Sequence, residues 1–568
     1  MASLIAKKKG RQLYYYVAES ARVDGKPRIV RQTYLGSAEK VAALLRDRTA
    51  PVPVSASSLD FGLPGALWLA AQQTGLFALL ESLWPQPRSG PSTAHYLLLA
   101  AFHRICQPGP KTTVPDWYRH TILHSLWQFD PDRFSSQAFW DCFDRIRTDS
   151  EDSQLDQAQS RLLQLWNQKQ LVSQRLLAYD TTNFFTFIAS TNDRVSLARR
   201  GHNKQGRHNL RQVAMSYVLD GEQGISLCHH VYPGNVSDSD ELPQALSRIL
   251  ALLDRNQIAR DSVTLVFDKG SAALANTLAL EEAGVGWISA LPWNQAPEQF
   301  RERDCEQLPA LSSQHPGMRA AAESLLVHGK QYLCVVSYSA SFAAEQLHSL
   351  ATALAKASQN LRRLSVELAK PRERFTELGI RTKIRRWLSS DSLLEGLIRY
   401  TIQRNNNRWH LQFDLDGQAF ARLMAHRLGR TTLVTNRTEW TAEQVVAGYA
   451  GQQRIEQVFR GLKDGEWLGW GPMYHWTDSK IKVHAFYCML GISLLQYLHK
   501  QANTVWPGLS MEGLIEQLSQ IQQYLLLYPP LGDKGPNRLA KVISKQTLQQ
   551  QALAVLFGLE NLTSKELG

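Results

Sequence analysis

RLLAYDTTNFFTF, residues 175–187, is where the chain changes texture. Before it, apolar residues recur every three or four positions, as in ALWLAAQQTGLFALLESLW (66–84) and LDQAQSRLLQLWNQKQ (155–170). That is the spacing of amphipathic helices. From 175 onward the runs are short, β-branched and aromatic. QVAMSYVLD (212–220) and GISLCHHVYP (224–233) flank Asp220-Gly221, a hairpin signal. A helix is predicted over 239–255. SVTLVFD (262–268) is a nearly continuous apolar run of the buried-strand kind. A second helix over 271–283 and the strand GWISALP (286–292) follow. Three strands, helix, strand, helix, strand make an α/β fold with a mixed sheet covered by helices.

Working outward, residues 295–430 read as an inserted subdomain. It holds a long amphipathic helix over 341–369 and a basic stretch with Lys370, Arg372, Arg374, Arg381, Lys383, Arg385 and Arg386. LIRYTIQ and RWHLQFDL then flank Asn405-Asn406-Asn407. TTLVTN (431–436) resumes strand character, and 431–500 is read as the second part of the sheet domain opened by 171–294. Thr441 and Gln444 match a capping box at the start of a helix reaching Lys463. Further helices are expected over 479–500 and 508–528, with 501–568 a helical C-terminal region. Toward the N-terminus, 59–170 is a helical domain open to a DNA-binding role, and PVPVSASS (51–58) is a linker. Residues 1–50 form a basic β-hairpin module, with Asp24-Gly25 at the turn and Lys7, Lys8, Lys9, Arg11, Arg22, Lys26, Arg28 and Arg31 beside Tyr14, Tyr15 and Tyr16. Cations interleaved with aromatics suit a phosphate backbone.

The 568 residues require several domains. Formal charge is +12 and the pI about 9.3, a balance that favours an anionic partner. The six cysteines form no C-x-x-C pair and no Cys/His cluster, which argues against a zinc module and a disulfide framework. A reducing, cytoplasmic compartment is expected. No run of eighteen apolar residues appears, so neither a membrane span nor a membrane partner is expected.

Three carboxylates carry the candidate chemistry. Asp180 and Asp268 each stand where a strand core turns polar. Single aspartates there are more often turn or cap residues, but two on separate strands can converge. Hard divalent cations take oxygen ligands, and a pair of them can clamp the attacking and leaving oxygens of a phosphodiester displacement. On the helix TAEQVVAGYAGQQRIEQVFRGLKD (441–464), Tyr449, Gln452, Glu456, Arg460 and Lys463 share one face, and Ile455, Val458, Phe459 and Leu462 the other. The apolar stripe can dock on the sheet while the polar stripe presents a carboxylate beside phosphate-seeking groups.

These motifs together resemble the DDE transposases of bacterial insertion sequences. The similar branch is the IS-four superfamily, with its Tyr-x2-Arg-x3-Glu-x6-Lys signature. Tyr449, Glu456 and Lys463 fall on that signature with its spacing, and Ile455, Phe459, Arg460 and Leu462 match its surroundings. Asp180 in YDTTNFFTF resembles the first motif. Asp268 in VFDKGS, followed by Asn276, resembles the second. RGHNKQGRHNLRQV (200–213), PGNVSD (233–238) and HWTDSKIKVHAF (475–486, with His484) resemble further family blocks. The 188-residue gap from Asp268 to Glu456 resembles members with an inserted domain. Gln452 stands where the signature has Arg, and Arg454 lies about 140° round the helix from Tyr449.

The resemblance implies a ribonuclease-H-like sheet and Asp180, Asp268 and Glu456 as catalytic ligands of two magnesium or manganese ions. It implies DNA contacts by Tyr449, Gln452, Arg460, Lys463, Lys204 and Arg207. Terminal inverted repeats and target DNA are the implied partners. Cleavage followed by 3′-hydroxyl strand transfer, by a homodimer on double-stranded DNA, is the implied activity. The competing readings are a metal nuclease without strand transfer and an inactive DNA-binding remnant.

Overall fold

In the computed structural model the described residues are 2–564, apart from 11, 24–25, 47–51, 86, 149–152, 190, 204, 272, 314, 371–374, 390–392, 395, 406–407, 466, 472 and 531–535. The chain divides into two compact units.

The smaller unit comprises Met1–Phe61 and Ile521–Gln546. Ala2–Lys9, Gln12–Val23 and Lys26–Ser37 form an antiparallel three-stranded sheet followed by the helix Ala38–Arg46. The expected turn at Asp24-Gly25 lies outside the described residues. A second antiparallel sheet is ordered Arg538–Ile543, Gln522–Tyr528, Ser55–Asp60. This corrects two expectations. Residues 55–58 are strand rather than linker, and the run from 522 is strand rather than helix. Ser55–Asp60 finds its partner more than 450 residues away in the chain, so that stretch does not advertise its pairing locally.

The larger unit, Gly62–Gln520 with Thr547–Gly568, is built on one eight-stranded sheet. Its strands are β1 (Leu176–Thr186), β2 (Arg211–Asp220), β3 (Ser226–Pro233), β4 (Thr264–Phe267), β5 (Gly286–Ala290), β6 (Met318–Val327), β7 (Lys330–Ser339) and β8 (Arg430–Thr435). The spatial order is β6-β7-β8-β5-β4-β1-β2-β3. β1 to β3 are antiparallel, while β4 runs parallel to β1 and β5 parallel to β4. Both parallel steps are bridged by helices, α1 (Asp238–Arg255) before β4 and Leu274–Glu282 before β5, as parallel neighbours require. The sheet takes in more of residues 295–430 than expected, because the β6–β7 hairpin extends it. Between β7 and β8 a separate core forms around Leu350, Ala357, Leu361, Ile380, Ile384 and Leu411.

Two long helices complete the unit, α2 (Ala442–Asp464) and α3 (Asp478–Val505). The α2 start is the expected capping box: Thr441 Oγ1 accepts from Gln444 N–H, and the Gln444 side chain accepts from Thr441 N–H. By length and composition α3 could cross a membrane, yet 89% of its most apolar window is buried inside the fold. It packs against β3 and the helices Gly62–Gln73, Thr93–Cys106, Ser136–Asp144 and Leu548–Phe557. That burial accounts for its hydropathy.

Candidate active site

Strand register places the two aspartates. β1 and β4 are parallel, and their last paired residues are Tyr179 and Phe267. Asp180 and Asp268 each follow one residue later, side by side on adjacent strands about 4.8 Å apart. Asp180 is still in β1 and Asp268 directly follows the end of β4, and the charge of Asp268 acts on Asp180. Ala178, two residues before Asp180, shares its face of the sheet.

α2 lies on it. A Cβ built on Gly451 would sit 3.3 Å from Ala178 Cβ and 3.1 Å from Gly221 Cα. One built on Gly448 would sit 2.9 Å from Ile288 Cδ1. The two glycines, three residues apart, thus let the helix seat closely on β1, β5 and the β2–β3 turn. Val445, Ile455, Val458, Phe459 and Leu462 are buried along the same side. Arg454 donates to the carbonyls of Gly221 and Glu222, so it is committed to the hairpin turn.

Glu456 is exposed at the edge of this contact. Tyr449, on the same helix face, is half-buried, and burial plus the negative charges of Asp268, Glu456 and Asp180 raises its phenol pKa. Asp180 itself is pushed up to about 7, first by burial, then by Asp268, Asp238 and Glu456, against the lowering effect of Thr181 N–H at 2.7 Å. Like charges that raise the proton affinity of one buried carboxylate mark its neighbours as close by. Asp268 and Glu456 therefore lie within electrostatic reach of Asp180. A fourth, Asp238, stands with them.

The donor set is all oxygen and suits a hard divalent cation, whose charge would offset the repulsion around Asp180. Among the described residues no three such groups stand close enough to hold one ion between them.

The expected DNA contacts fare unequally. Arg460 and Lys463 are exposed. Arg460 lies within electrostatic reach of Glu512. Arg207 is exposed, its guanidinium 5.5 Å over the Phe185 ring. Lys204 lies outside the described residues. Gln452 corrects the expected polar stripe: it is 2% exposed, and neither amide atom has a hydrogen-bond partner. Four residues of helix rotate it about 40° from Glu456 toward the apolar stripe, enough to bury it and remove it from phosphate reach. His484 is also internal. Its Nε2 lies 3.1 Å from Trp470 O and its Nδ1 accepts from Tyr487 Oη at 2.6 Å. Burial and nearby cations hold its pKa well below the usual range. It braces the segment after α2, where Trp470 stacks on Phe184 of β1 with ring centroids 4.0 Å apart.

Sequence reasoning missed Asp238. The available signal was PGNVSD, noted only as resembling a family block, in which Ser237 and not Asp238 caps α1.

Residues 176–490 match the family model described as a transposase DDE domain. No curated protein matches the chain. Among solved structures, the cryo-EM structure of a piggyBac transposase synaptic complex with hairpin DNA matches at 10% identity, over 81% of this chain and 77% of that one, with a TM-score of 0.32. That score carries no argument about fold.

Proposed function

The chain belongs to the family of transposases with a DDE domain, and from that premise we propose that it binds the terminal inverted repeats of a mobile element, cleaves there and joins the 3′-hydroxyl ends to target DNA. The observation that carries the reading is the β1–β4 register, which sets Asp180 and Asp268 side by side beneath the helix bearing Glu456. The strand order β3-β2-β1-β4-β5, antiparallel then parallel, supports a ribonuclease-H-like reading of the sheet. Tyr449, Glu456 and Lys463 support the IS-four type, and with it a bacterial, cytoplasmic setting.

In this reading Asp180, Asp268 and Glu456 hold two magnesium or manganese ions. When bound, such ions supply an activated oxygen nucleophile and stabilise the charge of the leaving oxygen. The chain's own residues do the positioning. The β1–β4 register fixes the aspartate spacing, and the glycine-lined seat of α2 sets the approach of Glu456. Lys463 and Arg460 offer cations to the DNA backbone beside the carboxylates, with Tyr449 as a phenolic donor. Joining two element ends calls for two such sites, which supports a homodimer on DNA.

The test uses purified protein, magnesium and linear DNA carrying the repeats that flank the gene. The expected products are 3′-hydroxyl ends at the repeats and joined target molecules, and Asp268→Asn lowers both by at least about a thousandfold. Hydrolysis with no joining, even from pre-cleaved ends, would reduce the reading to a metal nuclease. Unchanged cleavage by Asp268→Asn would remove the site assignment.

A further inference from the structure

We propose that Asp238 is a fourth carboxylate of the metal site, held there by Thr181 on one side and by an Asn276 bridge on the other. The inference rests on the function proposed above and adds a ligand to the same site.

Asp238 is the first residue of α1, directly after the cap residue Ser237. The cap is complete without it: Ser237 Oγ accepts from Asp240 N–H. Two observations instead tie Asp238 to the aspartate pair. Its Oδ1 accepts from Thr181 Oγ1 at 2.6 Å, and Thr181 also gives its N–H to Asp180 at 2.7 Å. One residue of β1 thus holds both carboxylates. On the other side, Asp238 Oδ2 lies 4.0 Å from where a Gly270 Cβ would be, against the turn that follows Asp268. That proximity is built in, because the buried Asn276 side chain donates to Ser239 O at 3.2 Å and to Ser271 O at 3.0 Å. It staples the first turn of α1 to the turn after Asp268. The backbone segments that carry Asp238 and Asp268 are therefore tied to each other by hydrogen bonds.

Charge balance gives the fourth carboxylate a purpose. Two divalent ions bring four positive charges, and magnesium typically takes one or two carboxylates per ion. Without DNA, three carboxylates leave one positive charge uncompensated, and Asp238 offsets it before the scissile phosphate arrives.

The test is manganese binding by the full-length protein without DNA, followed by calorimetry and by loss of the free-ion electron spin resonance signal. Asp238→Asn is expected to weaken binding by about tenfold to a hundredfold. Thr181→Val is expected to weaken it in the same direction by a smaller factor. Asp240→Asn is the control. It removes the same charge from the same helix turn, but its Oδ2 accepts from Ser237 Oγ at 2.6 Å, so manganese binding should match wild type. Circular dichroism melts establish that each variant is folded; should Asp238→Asn not fold, Thr181→Val carries the test. Weaker binding by Asp180→Asn but wild-type binding by Asp238→Asn would overturn this proposal alone. Wild-type binding by Asp180→Asn and Asp268→Asn as well would overturn the site itself. Equal weakening by Asp238→Asn and Asp240→Asn would reduce Asp238 to a general charge effect.

Discussion

Asp180 and Asp220 sit on neighbouring strands of one sheet, and both are shielded from solvent, yet they are held in opposite ways. Asp220, fully buried at the β2–β3 turn, is saturated. It accepts from the backbone N–H groups of Ser173, Gln174, Glu222 and Gln223 at 2.7 to 3.0 Å, and from the Ser173 hydroxyl. Asp180 accepts one bond from Thr181 N–H and otherwise faces Asp268, Asp238 and Glu456. A carboxylate that ends a strand as a turn residue finds its donors within the chain. A carboxylate surrounded by others leaves its charge for something the chain does not provide.

Substitutions can break that comparison, and the largest stability effect is expected at Asp220. Asp220→Ala takes the acceptor from four backbone N–H groups and should cost about 3 kcal/mol in a denaturant titration. DNA cleavage per folded molecule should persist. A loss of cleavage in protein shown to be folded would place Asp220 in the chemistry and dissolve the distinction.

Asp180→Asn should do the reverse. The folded state raises the Asp180 pKa from its ordinary value to about 7. Its contribution to stability is therefore complete below the unfolded pKa near 4 and is lost as pH rises through 7. In metal-free protein at pH 8, Asp180→Asn should stabilise the fold by about 1–3 kcal/mol, with little effect at pH 4. Cleavage should vanish, and added magnesium should stabilise wild type more than the variant. Equal destabilisation at both pH values would show that Asp180 is structural, as Asp220 is.

Gln452 sharpens the contrast with the smallest effect. It is buried and unsatisfied like an orphan, but neutral. Gln452→Leu should change stability by no more than about 1 kcal/mol, in the stabilising direction. Weakened DNA binding by this variant would show that the side chain turns outward on DNA.

How much of this was legible before the structure depends on how local each feature is. The α2 boundaries were, because Thr441 and Gln444 form a cap within four residues. The strand character of 176–186 and 264–267 was legible from composition. The register that aligns Tyr179 with Phe267 was not, since pairing is set across the sheet. The strand at 55–60 was misread because its partner lies at the far end of the chain, and that at 522–528 because its Gln and Leu residues suit a helix equally well. Gln452 was misplaced because a helix face has soft edges, and the glycines at 448 and 451 draw α2 deeper onto the sheet than its apolar stripe suggests. Asp238 escaped because a Ser-Asp pair at a helix start reads as a cap, and only Thr181 and Asn276 reveal its other task.

The most direct measurement is a manganese anomalous difference map from a crystal of the protein bound to element-end DNA. The expected result is two peaks between Asp180, Asp268 and Glu456, with Asp238 Oδ2 in the coordination sphere. Ordered DNA at the site with no peak at these carboxylates, or with peaks elsewhere, would contradict it.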